Sequence, residues 1–109
     1  MQLAVFVLSK TELLDDFLLS LSEAGIRGAT VLDSKGMAHA LPQESSFAAS
    51  LRLILTPGHE TGKTIFMVVP DEKINVISGV ANQVCGDLNG PESGILFALP
   101  VSYTEGIKF

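Results

Sequence analysis

Three stretches of the chain, Leu3 to Leu8, Thr64 to Val69 and Ile95 to Leu99, are apolar at nearly every position, with Phe6, Phe66 and Phe97 at their centres. Each is too short for an ordinary helix and reads as a β-strand. A strand with one wet face alternates apolar with polar residues, and these do not alternate. The chain must therefore build a sheet whose two faces are both covered.

One face is covered by the segments between the strands. After the first strand, Leu14, Phe17, Leu18 and Leu21 fall at helical spacing behind a Ser9-to-Glu12 capping box, and Gly25 stops the run. Ala29 to Leu32 is β-branched enough for a second strand, which fades into Asp33-Ser34-Lys35-Gly36. The same grammar returns after Lys63: a strand over Thr64 to Val69, Pro70-Asp71 opening a helix with Ile77, Val80, Ala81 and Val84 on one stripe, Gly86 closing it, a turn-rich stretch, and the strand Ile95 to Leu99 ending at Pro100. Two β-α-β units in series predict an α+β fold of ferredoxin-like plan, a four-stranded antiparallel sheet under two helices. With 109 residues there is room for one domain, 1–109.

Two helices can cover only one face. The remaining apolar face would exceed what a lone chain leaves in water, so burial against other copies of the chain is expected; the alternative is that the central segment and Val101 to Phe109 fold over it. That central segment, residues 37–62, is longer than the plan requires. Ser45 or Ser46 can cap a short helix carrying Phe47, Leu51 and Ile54 before Thr56-Pro57-Gly58, and a strand over Leu51 to Leu55 is the alternative there.

The chemistry-bearing residues are few. A formal charge of -5 repels polyanions, which disfavours nucleic acid. No apolar run is long enough to cross a bilayer. Cys85 stands alone, so neither a disulfide within the chain nor a thiolate metal set is expected, and no secretory signal is read after Met1-Gln2-Leu3; the cytoplasm is the expected location. His39 and His59 have no partner at ligand spacing, and no nucleophile, base and carboxylate form a set, so no catalytic residues and no metal site are assigned and the protein is not expected to be an enzyme. Gly58-His59-Glu60-Thr61-Gly62-Lys63-Thr64 has three residues between its glycines where a phosphate-binding P-loop has four, and it feeds a strand instead of a helix. Lys35-Gly36 and Asn89-Gly90-Pro91-Glu92-Ser93-Gly94 are the loops able to bring backbone amides near a ligand.

Several of these segments resemble one family. Glu23-Ala24-Gly25-Ile26-Arg27-Gly28-Ala29-Thr30-Val31 and Lys35-Gly36-Met37 are similar to the first helix end and second strand of the nitrogen-regulatory PII proteins. Lys63 to Glu72 resembles the strand after that family's T-loop, and Ile95 to Val101 its last core strand. The resemblance implies a PII-like homotrimer, with 37–62 as a T-loop-like segment, that binds a small effector in clefts between subunits and regulates a partner such as a membrane transporter or metabolic enzyme. Thr30, Gly36 and Met37 match family positions at the cleft, and Gly90 and Gly94 belong to the loop opposite, so these five are the expected ligand-binding residues. The resemblance departs where phosphate is held: the family's Gly-Asp-Gly-Lys is Glu92-Ser93-Gly94-Ile95 here, the C-terminal arginines are absent, and Leu41 to Phe47 carries no tyrosine for uridylylation. ATP binding is therefore expected to be weak, and no cofactor is assigned. The alternative of the same architecture is a trimeric CutA-like protein of divalent-metal tolerance.

Overall fold

The computed structural model of the chain describes residues 1–37, 61–88 and 94–107. Strands β1 (Gln2–Leu8), β2 (Thr30–Lys35), β3 (Thr61–Val69) and β4 (Ile95–Pro100) form one antiparallel sheet in the order β2-β3-β1-β4, with helices α1 (Leu14–Glu23) and α2 (Ile74–Cys85) packed together over it. This is the ferredoxin-like double β-α-β arrangement. The helix proposed near Phe47 to Leu55, its strand alternative, and the loop histidines His39 and His59 lie outside the described residues.

The core lies between the helices and one sheet face. In register across the sheet, Ala4 and Phe6 oppose Met67 and Ile65, and all four are buried with Leu8 and Val69. Phe17 and Leu21 of α1 and Ile77, Val80, Ala81 and Cys85 of α2 close over them, so the stripes read from helical spacing are the faces that pack. The rings of Phe6 and Phe17 meet at 4.8 Å between centroids with a 49° tilt, joining β1 to α1. Truncating either would cost about 3–5 kcal/mol.

Local chemistry sets the ends of the elements. A 3-10 turn over Thr11–Leu13 leads into α1, and its Lys10 N-cap makes no side-chain bond, so the expected Ser9–Glu12 capping box does not form; Ser9 instead offers its backbone carbonyl to Thr11 N–H at 3.0 Å. At the other end, Gly25 with φ 91° lets Gly25 N–H reach the Ser22 carbonyl and Ile26 N–H reach the Leu21 carbonyl, while the Ile26 side chain drops into the core. Pro70 precedes a 3-10 turn over Asp71–Lys73 and then α2, which Gly86 ends with φ 83°. Asn82 fixes the exit: its Nδ2 donates to the Ser78 carbonyl, and its Oδ1 accepts from Leu88 N–H.

Strands β2 and β3 run further than expected, through Lys35 and back to Thr61. An ion pair between Lys63 and Asp33, directly opposed across the two strands, supports the extension and holds the Asp33 carboxyl below its usual range through the hydrogen bond and charge of Lys63. Gly62 allows it, since a β-carbon there would sit 2.7 Å from the Leu8 carbonyl oxygen. At the opposite end of the sheet, the chain's amino terminus pairs with Asp71 at 2.8 Å, and Val101 N–H donates to the Met1 carbonyl, extending the β1–β4 ladder.

Candidate functional site

Among the described residues, the sheet face away from the helices is apolar and partly exposed. Alternation along each strand and direct opposition between strands place Leu3, Val5 and Val7 of β1, Phe66 and Val68 of β3, Ile95, Phe97 and Leu99 of β4, and Leu32 of β2 on that face. Across its middle runs the row Thr30, Phe66, Val5, Phe97. Val5 is shielded by its neighbours, whereas Phe97 is 48% and Ile95 62% exposed. Ile107 shares a groove with Leu3, Phe66 and Val68 at one end of this face, while Tyr103, whose hydroxyl donates to Glu105 at 2.7 Å, is 72% exposed.

At one end of the face the sheet opens into a groove. The pairing of β2 with β3 ends at Thr30 opposite Phe66, and upstream of it Ile26 to Ala29 no longer ladder with Val68, Val69 and Pro70. The gap is about 970 Å³, the size of a small-molecule site. Leu3, Ile26, Phe66, Val68 and Ile107 give it apolar walls, and Thr30, Arg27 and Lys73 supply its polar side chains.

Of the five residues expected to bind ligand, the four that are described are not gathered within one chain. Thr30 lies at the groove, exposed on the open face. Gly36 and Met37 follow the other end of β2, about 20 Å along the strand at ~3.3 Å per residue, with Met37 exposed. Gly94 shares that end of the sheet but precedes β4, separated from β2 by β3 and β1, roughly 14 Å at ~4.8 Å per strand. Gly94 also has a purely structural reason to be glycine: its φ is 129°, and a β-carbon would lie 2.5 Å from the Val7 carbonyl oxygen. Gly90 lies outside the described residues. Cys85 is buried under α2, where desolvation raises its pKa above the usual thiol value.

Sequence reasoning missed the groove itself. Arg27 sits within the segment that resembles PII, yet nothing in its spacing marks it as a partner of Lys73, which is 46 positions later in the chain. Only the sheet order brings the two to one cavity. No protein-family model matches the sequence, and no curated protein matches it. Among the described residues, no helix is long and apolar enough to cross a membrane.

Proposed function

We propose that the protein is a PII-like regulatory protein: a homotrimer that binds a small effector in clefts between its copies and passes the bound state to a partner, such as a transporter or metabolic enzyme, through the 37–62 segment. One observation carries this reading, the apolar sheet face left open on a fold whose helices cover only the other side. Taking about 180–200 Å² per large side chain, the exposed parts of Leu32, Phe66, Ile95, Phe97 and Leu99 amount to roughly 450 Å², which, contrary to the expectation from the unalternating strands, does not exceed what a lone chain leaves in water but is a patch of the size that is often functional. Further copies seated on this face would bury it. In this reading the clefts between copies are where Gly36, Met37 and Gly94 of one copy face Thr30 of another. A cytoplasmic location fits the lone cysteine.

The test is thermal unfolding of the trimeric fraction against nucleotides, bicarbonate and divalent metals, since a ligand that binds only the folded state raises the midpoint in proportion to RT ln(1 + [L]/Kd). A saturable shift with a small metabolite, and ATP affinity no tighter than about millimolar, supports the reading. A shift with divalent ions alone would favour the metal-tolerance alternative, and no shift with any of them in a monomeric protein would end the proposal.

A further inference from the structure

We infer that the groove between residues 25–30 and the end of β3 binds a carboxylic acid with an apolar body. This rests on the effector-binding reading above and names the class of effector.

Three observations converge on it. The walls are apolar: Leu3, Phe66 and Val68 from the open sheet face, Ile26 and Ile107 from the sides. Among the described residues, the only charged side chains lining the groove are Arg27 and Lys73 and no carboxylate lines it, in a chain where Asp and Glu outnumber Lys and Arg by 12 to 7. Finally, neither cation forms an ion pair among the described residues. Among the described residues the ion pairs join Lys63 to Asp33 and the amino terminus to Asp71, leaving Arg27 and Lys73 without an acidic partner. Of the two carboxylates just before Lys73, Asp71 is held by the amino terminus, whose hydrogen bond and charge depress its pKa, and the adjacent Glu72 is exposed and makes no ion pair among the described residues.

A guanidinium and an ammonium on one apolar cavity suit a single carboxylate: Arg27 can fork onto both oxygens while Lys73 adds a point charge. The net charge of -5 does not forbid this, because charges farther than ~8 Å are screened at physiological salt while those at the groove act directly. The same arithmetic disfavours a triphosphate, which would bring several charges to two cations over hydrocarbon walls. The Thr30 hydroxyl at the rim can bond one further polar group of the ligand.

The experiment is calorimetric titration of the intact protein with 4-phenylbutyrate, its neutral amide and ATP, with the assembly state of each sample measured in parallel by light scattering. The carboxylate should bind at least tenfold more tightly than the amide. Arg27→Gln and Lys73→Gln should each erase most of that preference while leaving amide binding within about twofold, since a charge-assisted bond is lost and the apolar contacts remain. Both variants lie at exposed or half-exposed positions and should fold as the parent does. Equal binding of acid and amide, or binding of neither to a trimer at millimolar concentration, overturns the ligand class while the regulatory reading stands. ATP binding more tightly than the carboxylate also overturns it. A monomer that binds none of the three overturns both.

Discussion

Replacing Phe97 by Asp probes the open face where the reasoning is most exposed. In the single chain Phe97 is 48% exposed, with its inner half against Val5 on the neighbouring strand. With ~200 Å² for a phenylalanine side chain, about 100 Å² remains for another copy to cover, worth about 2.5 kcal/mol per copy at ~25 cal/mol/Å², or roughly seventyfold in association. The aspartate adds the cost of desolvating a carboxylate at the same place. The loss inside the chain is of similar size, about 2 kcal/mol, and should leave a domain with 5–15 kcal/mol of stability folded. Sedimentation equilibrium at ~10 μM should therefore find the parent assembled and Phe97→Asp dissociated, with helical circular dichroism retained. Leu19→Asp, at a residue 60% exposed but on the outer side of α1, should leave the assembly intact. If Phe97→Asp stays assembled, or if Leu19→Asp alone dissociates it, the sheet face is not what holds the copies together.

Two further outcomes follow from buried contacts. Gly94→Ala should lower stability by about 1–3 kcal/mol, because alanine is strained at φ 129° and its methyl would strike the Val7 carbonyl; thermal denaturation should show a midpoint fall of several degrees, whereas the same change at Gly28, where a β-carbon meets nothing, should be nearly silent. Cys85 should resist alkylation in the native protein and react at the unfolding rate, and because burial raises its pKa the fold should lose stability as pH rises from about 9 through the higher native value; Cys85→Ser should flatten that part of the stability–pH profile as followed by urea denaturation.

Much of this architecture was legible in the sequence because it depends on period. The unalternating strands and the stripes of Phe17, Leu21, Ile77 and Val80 point to a sheet under two helices, and they pack as their spacing requires. The boundaries were less legible, since they are fixed by partners far along the chain. Gly62-Lys63 reads as a turn until Lys63 meets Asp33 and Gly62 fits under the Leu8 carbonyl. The capping box failed for the converse reason: a 3-10 turn starting at Thr11 shifts α1 to begin at Leu14, out of reach of a Ser9 cap. Thr30 was marked as a candidate only through resemblance, and Arg27 with Lys73 not at all, because tertiary structure alone sets those two beside one cavity.

Native mass spectrometry of the purified protein shows whether copies assemble on the open face. A complex of about 34.5 kDa, three times the 11.5 kDa chain, is expected, taking up a small organic ligand with up to one molecule per copy. A species of 11.5 kDa at the same concentration, with its apolar face open to water and no ligand retained, would contradict that expectation.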